Sequence, residues 1–114
     1  MNNTEKDDIL KNVGRRIQEY RQKARLTQEA LSEMTGISQK HLSRLEQGRH
    51  NPHFDMIIKI AKALNVPIDA FAEDLSETNT NIFLRLIEQD VAGMSQKQLN
   101  FLREEILLIK KTDF

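Results

Sequence analysis

The chain has 114 residues and 39% of them are hydrophobic, which allows one or two small domains but no deep enzyme cleft. It contains no cysteine, which excludes disulfides and thiolate metal sites, and no apolar run approaches the roughly 20 residues that span a bilayer. Residues 1–72 hold 12 basic and 9 acidic side chains, whereas residues 73–114 hold 5 and 8. This asymmetry fits one part that faces nucleic acid and a second part with another task.

The polar residues 1–8 predict a flexible N-terminal segment, and their acidic side chains are unlike a secretory signal. A first helix is predicted over residues 9–24, because apolar residues recur there every three or four positions. They form one stripe that consists of Ile9, Val13, Ile17, Tyr20 and Ala24.

A second, short helix is predicted over residues 28–35, since Thr27 is a good N-cap and Gly36 suits a left-handed C-terminal cap. Leu31 and Met34 are expected to face inward from this helix.

Ser38 is the next N-cap, so a third helix is predicted over residues 39–47, ended by Gly48. Small Ala30 lets the second and third helices cross closely, and Ile37 fills the turn between them. Leu42 and Leu45 are expected to point from the third helix into the core.

A fourth helix begins at Asp55 as its predicted N-cap and turns an apolar face inward, made of Ile57, Ile60, Ala61 and Leu64. Pro67 suits the first turn of a short fifth helix that reaches Phe71. Residues 9–72 are therefore predicted to form one domain.

The polar residues 73–81 are interpreted as a linker, and residues 82–114 as a helical hairpin. Its helices are predicted over residues 81–92 and 96–110, with a break at Gly93 and a capping box made by Ser95 and Gln98. The hairpin has more apolar side chains than two helices alone bury, so we expect it to pair two copies of the chain. The alternative is that the Leu and Ile side chains of its second helix pack on its first helix or on the N-terminal domain. The predicted dimerisation residues are Phe83, Leu86, Ile87, Leu99, Leu102, Ile106 and Ile109.

The outer face of the third helix carries only hydrogen-bonding side chains, on a helix of the right length for the DNA major groove. Gln pairs with adenine, and Lys and Arg donate to guanine, so we predict base contacts from Gln39, Lys40, Ser43 and Arg44. Phosphate contacts are predicted at the start of the second helix and after the third, from Thr27, Gln28, Gln47, Arg49, His50 and Asn51. The alternative for each face is an ordinary solvated surface.

The segment LTQEALSEMTGIS, followed by LSRLEQG and NPHFDMIIKIAKALNVPIDAF, strongly resembles the Cro and phage-repressor type of helix-turn-helix regulators, the Xre-like proteins. The resemblance covers residues 13–71 and all five helices. It implies an all-α fold, DNA contacts from Gln28, Gln39, Lys40 and Arg44, and an internal ion pair between Arg21 and Glu46 under the recognition helix.

The tail FLRLIEQDVAGMSQKQLNFLREEI resembles the C-terminal helical hairpin of SinR-type repressors. This resemblance implies a hairpin that pairs subunits and an antagonist protein as a further partner. Two-fold pairing would set two recognition helices roughly 34 Å apart, which predicts a palindromic operator.

Neither an enzyme nor a cofactor-binding protein is expected, since the sequence shows no nucleophile with a base, paired carboxylates or phosphate-binding glycine loop. His41, His50 and His53 do not form a zinc set, and His41 is expected to be partly buried or to face phosphate.

Taken together, the helix-turn-helix and the C-terminal hairpin predict a cytoplasmic homodimeric repressor, associated with the nucleoid when bound to DNA. The alternatives are a DNA-binding antitoxin or restriction-controller protein, and an adaptor whose helix-turn-helix does not bind DNA.

Overall fold

The computed structural model describes residues 3–88, and the side chains of residues 4–87. All regular structure in this range is helical, which confirms the all-α prediction for it. The elements are α1 (Asn3–Lys23), α2 (Gln28–Thr35), α3 (Gln39–Glu46), α4 (Phe54–Leu64), a 3₁₀ helix (Ile68–Ala72) and α5 (Glu77–Glu88).

Helix α1 begins six residues before its predicted start at residue 9, since Asn3 is already helical. Residues 3–8, which were predicted to precede the first helix as a flexible segment, therefore form its first turns. Its apolar stripe is buried at Ile9, Val13 and Ile17, but Tyr20 is half-buried and Ala24 is exposed beyond the end of the helix. Residues 3–8 lack an apolar stripe, which is why periodicity missed this part of the helix.

One hydrophobic core joins the described helices. The largest fully buried side chains are Phe54, Phe71, Phe83, Ile9, Ile17, Leu31, Leu42, Ile57, Ile60, Ile87 and Val13. The predicted inner face of α4 is buried at all four positions, and Leu42, Leu45 and Ile37 are buried as expected. The core therefore holds the back of α3 and leaves its opposite face to solvent.

Helices α1 and α3 touch through their backbones at Gly14. A Cβ atom on Gly14 would overlap the carbonyl oxygen of Leu45 and would lie 2.7 Å from the carbonyl oxygen of Glu46. Only a residue without a side chain allows so close an approach, so Gly14 sets the distance between α1 and the C-terminal end of α3.

The fourth and fifth predicted helices also differ in detail from the prediction. The N-cap of α4 is His53, without a side-chain cap bond, and Asp55 lies within the first turn. Asp55 still favours this helix end, because a carboxylate complements the positive end of the helix dipole. The predicted fifth helix is the 3₁₀ helix, with Pro67 at its N-cap.

The predicted linker over residues 73–81 is an ordered connection. Arg16 donates to both carboxylate oxygens of Asp74, at 2.9 Å and 2.6 Å, and Arg15 donates to the same group at 2.8 Å. The hydrogen bond from the Tyr20 hydroxyl to Glu73 raises the pKa of Tyr20 to about 12. Helix α5 then begins at position 77, so the second half of the predicted linker is helical.

Helix α5 belongs to the core described above. Phe83 and Ile87 are 1% and 0% exposed and lie in the same hydrophobic cluster as α1 and α4, and Leu86 is 4% exposed. The prediction that Phe83, Leu86 and Ile87 form a dimerisation stripe is therefore corrected, because these side chains are already buried within the protein. The other four predicted dimerisation residues, Leu99, Leu102, Ile106 and Ile109, lie outside the described residues. So do Gly93 and the predicted helix over residues 96–110.

Within residues 3–88, none of the helices has the length and apolar character needed to cross a membrane.

Candidate nucleic-acid interface

The α2–turn–α3 unit is built by local side-chain caps. Thr27 Oγ1 accepts the Ala30 N–H at 3.0 Å, and Ser38 Oγ accepts the His41 N–H at 3.1 Å, which confirms both predicted N-caps. Gly36 has φ of 76°, the left-handed conformation expected for it. These caps satisfy helix-end N–H groups and so set where each helix begins.

The buried face of α2 is partly polar. Leu31 is fully buried as predicted, but Met34 is 55% exposed, so its predicted inward orientation is wrong. Thr35 is buried instead, and its hydroxyl is satisfied because it donates to the Leu31 carbonyl at 2.8 Å and accepts the Ile37 N–H at 3.2 Å. The small, satisfied threonine lets the chain turn tightly into α3.

A buried ion pair supports α3 from below. Arg21 Nε donates to Glu46 Oε2 at 2.7 Å and Arg21 Nη2 to Oε1 at 3.0 Å, and the Glu46 side chain is 2% exposed. Arg21 also donates to the Leu26 carbonyl at 2.7 Å. The pair that the resemblance implied is therefore confirmed, and it joins α1, the loop before α2 and the C-terminal turn of α3.

Gln28 extends this network. Its Nε2 donates to Glu46 Oε1 at 3.1 Å, so the side chain at the start of α2 is held by the residue at the end of α3. The predicted phosphate contact of Gln28 would lie at the N-terminus of α2, where outward-pointing backbone N–H groups favour an anion. The Arg21–Glu46–Gln28 network therefore orients the two predicted DNA-contacting elements relative to each other.

The solvent face of α3 carries the predicted base-contacting residues. Gln39, Lys40 and Arg44 are exposed, and Ser43 is half-buried. Gln47, one turn after Ser43, donates from Nε2 to its hydroxyl at 3.0 Å. The side chains that α3 buries are Leu42, Leu45 and Glu46. The helix thus presents an unbroken polar and basic face of a width that fits the major groove.

The loop after α3 places its three predicted phosphate contacts differently. Arg49 is exposed, as a contact with the phosphate backbone of DNA requires. Asn51 is half-buried and its Nδ2 donates to the Leu86 carbonyl at 3.3 Å, so the side chain binds α5. His50 is half-buried against His41, with ring centroids 4.2 Å apart. The structure therefore keeps Arg49 on the surface and turns Asn51 and His50 toward the protein.

The three histidines lie together at the back of this loop. The His50 ring is 6.1 Å from the His53 ring, and Nε2 of His41 is buried without a hydrogen-bond partner among residues 3–88. Burial lowers the pKa of His41, and the nearby His53 and Arg44 lower it further. Over the same residues, no group of three or more metal-ligating side chains is arranged to hold a metal ion. The His50 ring thus contacts the His41 ring and lies near the His53 ring, and the lowered pKa of His41 favours its neutral form.

The part of this protein that resembles known proteins includes the α2–turn–α3 unit. The sequence profile of the helix-turn-helix family matches residues 17–71, from α1 to the 3₁₀ helix. An uncharacterized HTH-type transcriptional regulator of Archaeoglobus fulgidus is 38% identical over 63 residues, which cover 54% of this chain and 89% of that protein.

The protein belongs to the Cro/C1-type helix-turn-helix family.

Two further relatives of this Cro/C1-type protein come from different settings. The immunity repressor protein of Bacillus phage phi105 is 28% identical over 99 residues, which cover 87% of this chain and 62% of the repressor. The restriction-modification controller protein C.AhdI of Aeromonas hydrophila superposes with a TM-score of 0.53 at 28% identity, over 56% of this chain and 96% of the controller. The chain therefore spans somewhat less than two thirds of the phage repressor's length.

Family membership establishes a DNA-binding transcriptional regulator with a repressor-like domain. Proteins of this family are regulators and not enzymes. The helix-turn-helix, α2 to α3, lies wholly within the matched residues, whereas residues 3–16 and α5 lie outside them.

Proposed function

We propose that the protein is a transcriptional repressor that binds a palindromic operator as a homodimer, with α3 in the major groove. The exposed face of α3 supports this proposal most directly. Gln39, Lys40 and Arg44 project from a helix whose opposite side is anchored by Leu42 and Leu45 in the core. A rigidly held row of amide, ammonium and guanidinium groups is the chemistry that reads base edges.

The phosphate contacts in this proposal come from the two ends of the helix-turn-helix. Thr27 and Gln28 stand at the N-terminus of α2, and Gln47 and Arg49 stand at the end of α3. Such contacts fix the register of α3 on the duplex without reading sequence. His50 and Asn51 are omitted from this set, because their side chains pack against the protein.

Homodimer formation is proposed from the sequence of the C-terminal region, where Leu99, Leu102, Ile106 and Ile109 repeat every three or four residues. The double variant Leu102→Asp/Ile106→Asp is expected to be a monomer by sedimentation, with weakened operator binding. An antagonist protein that binds this hairpin would also dissociate the dimer. A dimer that survives both substitutions would contradict this part of the proposal.

Selection of bound sequences from a random duplex pool tests base recognition. The wild type is expected to enrich an inverted repeat with half-sites about 10 base pairs apart, roughly 34 Å. The double variant Gln39→Ala/Arg44→Ala should lose this enrichment and retain weak, salt-sensitive binding. Lys59→Ala/Lys62→Ala, at two exposed positions of α4, is the control and should select the wild-type site. No enrichment by the wild type at any salt concentration would refute DNA recognition.

The likeness to a restriction-modification controller supports a second role for the same DNA chemistry. The selected operator separates the two roles. A controller of restriction-modification genes would find its site upstream of its own gene and of neighbouring methyltransferase or endonuclease genes. A repressor of other functions would find its site elsewhere.

A further inference from the structure

The N-terminal half of α1 and the loop after α3 together form an open groove of about 750 Å³. Its walls carry three cations, Lys6, Lys11 and Arg49, and one carboxylate, Asp7. Its only apolar side chain is Leu10, which is 5% exposed. Small organic ligands require mainly apolar pockets, so this lining suits a polyanion that passes along the surface.

Gly48 fixes the position of this groove beside the recognition helix. A Cβ atom on Gly48 would lie 2.7 Å from both the Cα and the backbone nitrogen of Lys11, so the backbone of α1 lies directly against the end of α3. Gly14 makes the second such contact one turn further along α1. Two backbone contacts hold this part of α1 rigidly, and the exposed side chain of Lys11 therefore starts next to α3.

The groove is continuous with the proposed DNA-binding surface. Gln47, at the end of α3, and Arg49, in the loop that follows, line the groove and also belong to the proposed phosphate contacts. Lys6 and Lys11 lie outside the residues that match the helix-turn-helix family, which begin at position 17.

We propose that Lys6 and Lys11 bind backbone phosphates of the operator, next to those bound by Arg49. This inference rests on the proposed function and deepens it, since it extends the DNA contact beyond the helix-turn-helix onto α1. A duplex presents rows of phosphates, and cations in a groove beside α3 are the groups that bind such phosphates. Contacts of this kind add affinity without adding sequence preference.

The salt dependence of operator binding tests the proposal. Each phosphate contact contributes about 0.9 to the slope of log K against log salt. Lys6→Gln/Lys11→Gln should therefore reduce the slope by about 2 per bound protomer and leave the selected sequence unchanged. Lys6→Arg/Lys11→Arg should keep the wild-type slope, because it keeps both charges. Lys59→Gln/Lys62→Gln removes the same charge from α4 and should also leave the slope unchanged.

Ethylation of operator phosphates shows which phosphates the two lysines bind. Modified phosphates that interfere with wild-type binding, but no longer interfere with Lys6→Gln/Lys11→Gln, mark the phosphates bound by the two lysines. Melting temperatures of the variants, compared with the wild type, show that each is folded under the binding conditions.

The outcomes separate the two proposals. If the wild type binds no operator, the proposed function fails and this inference fails with it. If the wild type binds its operator and the Gln variant has the same slope and interference pattern, only the role of Lys6 and Lys11 is overturned. If the Gln variant instead changes the mass in sedimentation, the groove binds a second copy of the chain, which also overturns the proposal.

Discussion

Gly14 of α1 and Leu45 of α3 meet backbone to backbone, so closely that a Cβ atom on the glycine would overlap the leucine carbonyl oxygen. The glycine stands inside a helix, where replacement by Ala ordinarily stabilises by about 0.5–1 kcal/mol. Here the added methyl group has no room, because the neighbouring atoms are backbone. The contact therefore makes replacement of this glycine by alanine destabilising, where it is ordinarily stabilising.

Gly14→Ala is therefore expected to lower the free energy of unfolding by about 1–3 kcal/mol, as overpacking does. Denaturant titration measures this change. The control compares Asp8→Ala with Asp8→Gly at an exposed position inside the same helix, where Ala should be the more stable by about 1 kcal/mol. A Gly14→Ala variant as stable as the wild type would contradict the backbone contact.

Arg21→Met should cost about 3–5 kcal/mol of unfolding free energy, because it leaves the buried carboxylate of Glu46 without its charged partner. Lys59→Ala, which removes an exposed i,i+4 partner at 3.9 Å, should change the free energy by no more than about 0.5 kcal/mol. Arg21→Met/Glu46→Leu should be more stable than Arg21→Met alone, since no unpaired charge remains. Equal stability of Arg21→Met and Lys59→Ala would show that the ion pair contributes nothing.

Arg25, two residues after the end of α1, has φ of 60°, a left-handed conformation that costs a side-chain-bearing residue about 1–2 kcal/mol. Arg25→Gly relieves this cost but adds about 0.5–1 kcal/mol of unfolded-chain entropy. The net expectation is a gain of about 0.5–1 kcal/mol in the free energy of unfolding. Asn65→Gly is the matched control at φ 56° and should change little, because Asn tolerates this conformation. A destabilised Arg25→Gly would indicate contacts of Arg25 that outweigh the strain.

Acid should weaken the fold through His41. Its pKa is lowered in the folded protein by burial and by nearby His53 and Arg44, whereas the ordinary value is 6.5. The unfolded chain therefore takes up a proton first, so stability is complete above pH 6.5 and falls as the pH drops toward the folded-state pKa. Unfolding free energies measured between pH 8 and pH 5 should show a smaller loss for His41→Gln than for the wild type, with His53→Gln as a neighbouring comparison. If the unfolding free energies of His41→Gln and the wild type depended on pH in the same way, this prediction would be contradicted.

Phe83→Ala should lower the free energy of unfolding by about 3–5 kcal/mol, as expected for a fully buried aromatic side chain. The reason is its place in the cluster shared with α1 and α4. Sedimentation should show the same oligomeric state as the wild type. If the substitution changed only association and left the unfolding free energy unchanged, Phe83 would be an interface residue after all.

Local chemistry made the helix-turn-helix predictable. Thr27, Gly36 and Ser38 have conformational roles that depend on their immediate neighbours, so the bounds of α2 and the start of α3 were predicted to the residue. The polar face of α3 followed from helical periodicity. The Arg21–Glu46 pair came from the family resemblance, because periodicity alone does not join positions 25 residues apart.

The remaining features depend on which surfaces meet in three dimensions. Met34 fits an apolar pattern but lies on the outer side of α2, where no element within residues 3–88 covers it. Apolar spacing cannot distinguish a stripe that packs in the core from one that packs against a second copy of the chain. Phe83 and Ile87 were therefore predicted to lie in a dimer interface, whereas they lie in the core. The polar residues 3–8 gave no periodic signal, and Lys6 was consequently missed as a surface cation beside α3.

The hydrogen bond from Asn51 to the Leu86 carbonyl joins the loop after the recognition helix directly to α5. A change that displaced α5 would therefore remove one contact of the loop that follows α3. Because binding free energies are reciprocal, DNA that favoured the docked form of this loop would also favour the docked form of α5.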